Sequence, residues 1–285
     1  MTDAVSKFTA ACVQIRTGKD IDRNIEAASA LIREAAASGA QFIATPETTS
    51  LMELGAKKLF ANIVDEKDDR ALKAFQALAA ELDVYLLIGS LAVRVAADKA
   101  ANRSFLISPQ GKITARYDKI HMFDVDLGNG EAYRESKNYQ PGDRAVLATL
   151  PWGKMGLTVC YDLRFPYLYR QLAHAGASFV SVPSAFTQQT GDAHWEVLLR
   201  ARAIETGCFV FAPAQGGTHE NGRETFGHSM IVDPWGVVLA QAGRDPCVVM
   251  AEIDLARVHE ARSKVPSLTH DHAILASFNS DQDQV

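Results

Sequence analysis

Lys154-Met-Gly-Leu-Thr-Val-Cys-Tyr-Asp-Leu-Arg-Phe-Pro166 is the stretch on which the reading of this chain turns. Its apolar first half, Met155–Val159, reads as a short strand that runs into Cys160. A polar turn comes next, and Pro166 stands where the first turn of a helix over Tyr167–Ala175 should begin. A cysteine between a strand end and a helix start is placed like a nucleophile on an elbow: exposed, held by rigid elements and close to a positive helix terminus. The same residue also reads as one more buried strand cysteine. Taken alone, the segment leaves both readings open.

Upstream of the elbow, strand-like and helix-like patterns alternate. Phe8–Ile15 reads as a buried strand, and Ile21–Ser38 as an amphipathic helix with apolar residues at helical spacing that ends at Gly39. Gln41–Ala44 is a second strand, running into Thr45-Pro46-Glu47; Asp69–Leu82 is a helix and Val84–Gly89 a strand. Ala92–Val95, Ser104–Ile107 and Ile113–Tyr117 then read as strands of antiparallel character, with a turn at Pro109-Gln110-Gly111. A polar loop, Asp124–Asp143, leads to the strand Ala145–Leu150 and the elbow. Beyond it lie strand Phe179–Pro183, helix Ala193–Thr206, strand Cys208–Ala212, a hairpin of Ser229–Asp233 with Val237–Ala240, and strand Val248–Ile253. Both halves share a rhythm of strand, polar strand end and helix. This predicts an α/β fold with two stacked sheets and helices outside, in a single domain over 1–277. The polar tail Phe278–Val285 is expected to be disordered.

The bulk properties narrow the function. The chain has 285 residues, 47% hydrophobic and 22% charged, with a formal net charge of −5. No basic excess points to nucleic acid or to an anionic membrane surface, and no apolar run reaches the ~18–20 residues of a membrane helix. The N-terminus lacks a signal-peptide core, so a cytoplasmic location is expected. The four cysteines are too few and scattered for a disulfide framework, and Cys12, Cys208 and Cys247 are read as buried strand residues. No Cys-x-x-Cys or His-x-x-x-His pair occurs, so the sequence assigns no metal and no cofactor.

A cysteine nucleophile needs a base to make the thiolate, and donors where oxyanion charge develops. Two other strand ends offer them. Glu47 follows a strand and the stiff Pro46, and Lys119 follows Ile113–Tyr117. Either residue alone would pass for a solvated surface charge; three reactive residues at three strand ends form a pattern.

Pro46-Glu47, Lys119-Ile-His-Met-Phe-Asp124 and Gly156-Leu-Thr-Val-Cys-Tyr-Asp-Leu-Arg-Phe-Pro166 resemble the three signature segments of the nitrilase superfamily, the carbon–nitrogen hydrolases. The resemblance runs from Phe8 to about Pro266 and is nearest to the Nit branch, which contains omega-amidases and deaminated glutathione amidases. It implies a four-layer α-β-β-α sandwich whose dimer stacks the sheets of two subunits. It also implies a small-molecule amide substrate, hydrolysed through a cysteine thioester with release of ammonia. Residue by residue, it implies Cys160 as nucleophile, Glu47 as general base, and Lys119 with the backbone N–H of Tyr161 as oxyanion stabilisers. Glu135 matches a second glutamate beside that triad, and Arg164, Phe186 and Thr190 match positions that line the pocket near a substrate carboxylate. Pro183-Ser-Ala-Phe186, the segment Gly191–Thr206 and Gly227–Gly236 look more like the deaminated glutathione amidases. Omega-amidases tend to carry Gly-Ala-Phe-Asn in place of Ser184-Ala-Phe-Thr187.

Two departures stand out. Tyr167 replaces a glutamate usual after Phe-Pro, and Ser-Leu-Thr-His-Asp-His follows Val265-Pro266 where relatives carry an Arg- and Tyr-bearing segment. Trp195, Trp235, His194, His228 and His121 are assigned to packing. The competing readings are a Cys–His hydrolase, an omega-amidase or N-carbamoyl amino acid hydrolase, or a non-catalytic protein that keeps the fold.

Overall fold

Along Lys7–Gln14 successive side chains enter different cores, as a pleat of period two requires. Phe8, Ala10 and Cys12 join a core that also contains Met155, Leu157, Phe179 and Phe211. Ala11 and Val13 turn the other way, onto Ala28, Ile32, Leu72 and Phe75. A strand buried on both faces in this way sits inside a layered fold, and the computed structural model, which describes residues 7–128 and 130–272, shows the layers. The expected domain end at 277 and the tail 278–285 lie outside the described residues.

The first six-stranded sheet has the spatial order Cys247–Asp254, Lys7–Gln14, Phe42–Ala44, Tyr85–Arg94, Ala100–Ile107, Ile113–Asp118. The second has the order Val238–Gln241, Met230–Val232, Phe209–Ala212, Ala177–Ser181, Gly153–Leu157, Val146–Leu150. In each, three parallel central strands are flanked by antiparallel ones. The sheets face each other through aromatic rings: Phe8 meets Phe179 edge-on at 5.5 Å, and Phe42 lies 5.2 Å from Phe211. Such pairs add to the area they bury. Helices Ile21–Ala37 and Arg70–Leu82 cover the outside of the first sheet, and Pro166–His174 and Gln188–Thr206 that of the second. Both helices on the first sheet start at an aspartate: Asp20 accepts from the N–H groups of Asp22 and Arg23, and Asp69 from that of Leu72. These side chains satisfy donors the helix leaves orphaned. This is the predicted four-layer sandwich, formed within one chain.

Several local expectations are corrected. Val84–Gly89 and Ala92–Val95 are one strand, Tyr85–Arg94, whose register breaks between Ile88 and Leu91. The loop Asp124–Asp143 contains a small hairpin, Asp124–Asp126 with Ala132–Arg134, and a 3-10 turn at Glu135–Lys137. A second hairpin, Gly216–Thr218 with Glu224–Phe226, was not anticipated, nor were helices Ala56–Asn62 and Ala256–Lys264. Strands of three residues are too short for alternation to register. Cys12 and Cys208 are buried as expected, but Cys247 is half-buried, because it opens the edge strand of its sheet.

The register break holds the loop Thr45–Thr49 and approaches Pro183. Gly89 N–H donates to Thr45 Oγ1 at 3.1 Å, Ser90 N–H to Pro46 O at 3.2 Å, and Thr49 N–H to Ser90 O at 2.9 Å. A Cβ on Gly89 would stand 2.1 Å from Thr45 O and 2.4 Å from both Pro46 O and Pro183 Cβ. Only glycine permits that approach. Gly89→Ala is therefore expected to lower stability by ~1–3 kcal/mol and to cut turnover by about 10²-fold, the cost of misplacing reacting groups by about 1 Å. Urea melts with parallel rate measurements check this, and wild-type values of both would show that the two loops give way freely.

Candidate active site

Cys160 follows the strand Gly153–Leu157 and sits at φ 50°, a left-handed conformation unusual for a side chain with a Cβ. Three interactions hold it there. Its own N–H donates to Pro183 O at 2.9 Å. Two residues earlier, Thr158 Oγ1 donates to Ser181 O at 2.6 Å. Two residues later, the fully buried Asp162 carboxylate accepts from Val159 N–H at 2.8 Å, Tyr117 Oη at 2.7 Å and His121 N–H at 3.0 Å. Asp162 thus ties the elbow to the segment that carries Lys119. Cys160 opens a 3-10 turn, Cys160–Arg164, rather than an open loop, and helix Pro166–His174 comes after it. As a residue of that first turn, Tyr161 has no intrahelical acceptor for its N–H. The expectation of an exposed thiol is corrected: Cys160 is 6% exposed and is reached through a cavity.

Glu47 and Lys119 converge on that cavity with Glu135. Lys119 Nζ donates to Glu47 Oε1 at 2.9 Å and to Glu135 at 2.8 and 3.1 Å. Glu47 Oε2 accepts from Ala185 N–H at 3.0 Å, and Glu135 Oε2 from Phe123 N–H at 2.7 Å. Lys119 is 2% and Glu47 5% exposed. Although it lies in the polar stretch Asp124–Asp143, Glu135 is no solvated loop residue, because its carboxylate spans Lys119 and Asn102. Thr48, next to Glu47, is also at positive φ, 56°. Strained backbone beside both Glu47 and Cys160 fits residues whose positions are over-determined by their surroundings.

Each group's titration has a nameable cause. Burial would raise the Glu47 carboxyl, but Lys119 beside it prevails and holds it below the usual carboxylate range. Burial would lower the Lys119 ammonium, but Glu135 and Glu47 hold it well above its ordinary value. Burial and the Glu47 carboxylate push the Cys160 thiol up, against the pull of Lys119. Two carboxylates and one ammonium already give the cluster one formal negative charge. A standing thiolate would double that charge in a desolvated site. The arrangement suits a neutral thiol that loses its proton to a carboxylate as it attacks, with an ammonium and a free N–H where oxyanion charge appears.

The cavity is open at its mouth, and with the solvent there it spans about 930 Å³. Arg164, Phe186 and Thr190 all line it. Arg164 does not pair with Asp162, which is fully engaged elsewhere; its guanidinium faces His194 Nδ1 at 3.3 Å and lies over the Phe186 ring. Tyr167, the departure on the elbow helix, reaches His121 Nε2 with its hydroxyl, while His121 stacks on Phe165 at 3.6 Å. The altered segment after Pro266 packs back on the same helix, where Ser267 O accepts from Arg170 at 2.9 Å. Trp195 is buried and Trp235 is exposed at a turn, neither in the cavity.

Of the cavity residues that the sequence reading did not name, Asn102 and Arg223 matter most to the site. Asn102 Nδ2 donates to Glu47 Oε1 at 2.9 Å and to Glu135 Oε1 at 3.1 Å. Its signal was available: an amide one pleat before Ser104 on the same face of an apolar strand, Ala100–Ile107. Arg223, on the second small hairpin, gave no such signal.

Four layers, with a thiol, a carboxylate and an ammonium brought together from three strand ends, place the protein among hydrolases of the α-β-β-α class. The chain belongs to the carbon-nitrogen hydrolase family, whose profile matches residues 9–263. Over 268 residues it is 41% identical to the deaminated glutathione amidase of Synechocystis sp., covering 92% of this chain and 97% of that one. It is 37% identical to the human deaminated glutathione amidase over 265 residues, covering 91% and 81%. Among solved structures, the NitFhit protein of Caenorhabditis elegans superposes with a TM-score of 0.87 at 34% identity, covering 94% of this chain and 66% of that one. Nit3 of Saccharomyces cerevisiae, described as a nitrilase-superfamily member, gives 0.83 at 26%, covering 92% and 95%. Among the described residues, no helix is long and apolar enough to cross a membrane.

Proposed function

We propose that the protein is a deaminated glutathione amidase that works through a Cys160 thioester. The observation that carries the mechanism is the buried Lys119 ammonium bound at once by Glu47 and Glu135 beside the thiol. Glu47 takes the Cys160 proton as sulfur attacks the amide carbonyl, and returns it to the departing amine. Lys119 and the Tyr161 N–H stabilise the tetrahedral oxyanion. Water then attacks the thioester along the same path, and Glu135 keeps Lys119 in place through both halves. No histidine lines the cavity among the described residues, which disfavours the Cys–His alternative.

The substrate assignment follows the named relatives. Deaminated glutathione is a 2-oxoglutaryl amide of cysteinylglycine, so the leaving group is that dipeptide. Ammonia departs only when the substrate is a primary ω-amide such as α-ketoglutaramate, the second reading. The sheet stacking that the family resemblance implies supports a homodimer, and metabolite chemistry of this kind supports a cytoplasmic place. Purified protein should be offered deaminated glutathione, α-ketoglutaramate, an N-carbamoyl amino acid and a simple nitrile, with 2-oxoglutarate, cysteinylglycine and ammonia followed separately. Release of cysteinylglycine with the highest kcat/KM is expected; preference for the nitrile or the carbamoyl compound would overturn the assignment.

A further inference from the structure

Two guanidiniums line the cavity at Ala185–Phe186. That of Arg164 lies 5.5 Å over the Phe186 ring. That of Arg223 donates from Nη2 to Ala185 O at 2.6 Å and lies 5.2 Å over the Tyr133 ring. Among the described residues, neither is paired with a carboxylate, and Arg223 Nε is buried with no partner at all. Arg134, a third cavity arginine, spends its Nη1 on Val125 O and Tyr133 O. A buried cationic N–H without an acceptor is costly, and a fixed guanidinium fork matches a carboxylate. Two such cations suit a substrate with two anionic groups.

Their positions assign one group to each. Arg164 stands on the elbow itself, four residues after the nucleophile. Arg223 stands on the Glu47 side: it bonds the carbonyl of Ala185, whose N–H holds Glu47 Oε2, and its Nη1 reaches the Met52 sulfur at 3.9 Å. Its positive charge is one of the influences that lower the Glu47 carboxyl. Glu47 returns a proton to the departing amine, so that amine and what it carries lie on the Glu47 side.

We infer that Arg223 is a specificity-determining residue that binds a carboxylate of the leaving group, while Arg164 serves the acyl portion. The inference rests on the substrate reading above. Deaminated glutathione has two carboxylates, one on the 2-oxoglutaryl group and one on glycine. α-Ketoglutaramate has the same acyl group and only its own carboxylate. Arg223 therefore separates the two substrates by charge count.

The test is the ratio of kcat/KM for deaminated glutathione to that for α-ketoglutaramate. Arg223→Gln should lower this ratio by about 10–100-fold, the range expected of a charge-assisted hydrogen bond, chiefly through KM. Arg223→Lys should recover part of it, and Arg164→Gln should lower both rates together and leave the ratio near that of wild type. A merely structural role for Arg223, acting through Ala185 and Glu47, would slow both substrates alike, and an unchanged ratio overturns the inference. Failure of the wild type to hydrolyse either substrate would instead sink the substrate reading. Protection of Cys160 from iodoacetamide by S-methylcysteinylglycine, compared with its C-terminal amide, reads the subsite without turnover. Arg223→Gln should abolish the advantage of the free carboxylate, and equal protection by the two peptides in the wild type overturns the subsite.

Discussion

Replacing Cys160 by alanine is expected to lower amide hydrolysis by about 10⁴-fold or more, the scale on which loss of a covalent nucleophile acts, with the fold left in place. The backbone at residue 160 is held by bonds that the side chain does not make: its N–H to Pro183 O, Thr158 to Ser181 O, and Asp162 to Val159, Tyr117 and His121. Alanine at the same positive φ bears the same strain. Far-UV circular dichroism and the thermal midpoint should therefore stay near wild type. Serine should fare little better than alanine, because its hydroxyl is a weaker acid than a thiol and Glu47 is held below the usual carboxylate range as a base. A rate within tenfold of wild type in Cys160→Ala would show that another group attacks the carbonyl. Mass spectrometry offers a second check: a substrate-derived acyl adduct should map to Cys160 and vanish in the variant.

Lys119→Met should be the most damaging single change after that one, and for two separable reasons. It removes the oxyanion donor of the proposed mechanism, worth about 10²–10³-fold in turnover. It also leaves Glu47, buried, and Glu135, half-buried, both bonded to one Asn102 amide, as neighbouring carboxylates without their cation. Breaking a buried pair from one side costs ~3–5 kcal/mol. The pH dependence carries the signature. In the wild type Glu47 has a depressed carboxyl, so its contribution to stability is present above the unfolded value and is lost as pH falls through the folded one. In Lys119→Met the sign reverses: each carboxylate raises the other, the penalty is full at neutral pH, and acidification that protonates one of them relieves it. Urea melts from mildly acidic to neutral pH should show the difference between variant and wild type shrinking toward acid. A difference independent of pH would mean that Lys119 contributes by packing alone, and the charge argument would fail. Lys119→Arg keeps the charge but not the point geometry, and is expected to recover stability more than rate.

How far the site can be read in advance depends on what each residue's role requires. Glu47, Lys119 and Cys160 are legible because each closes a strand, and strand ends are visible as places where apolar runs stop. Glu135 is legible only through resemblance, since it lies on a 3-10 turn inside what reads as a polar loop. The bulge at Gly89 reads as a gap between two strands, because a register break interrupts alternation in the same way as a loop does. Asn102 passes unnoticed because an isolated amide in a strand is silent until the opposite charges are known. The Ala185 N–H cannot be found at all, being a backbone group that any residue but proline would supply.

The amino-acid sequence by itself determined most of the strands and helices, the elbow and the placing of Glu47, Lys119 and Cys160 after strands, because period-two and period-3.6 patterns, caps and turn residues act within a few positions of one another. Tertiary structure decided the rest. It brought Asn102 to Glu47 across 55 positions and Ala185 to Glu47 across 138, buried the thiol that the elbow at Lys154–Pro166 would on its own expose, and set Arg223 on the Glu47 side of the cavity. Those contacts depend on which strands lie side by side and how two sheets stack. Packing selects that arrangement over the whole chain, and no local periodicity carries it.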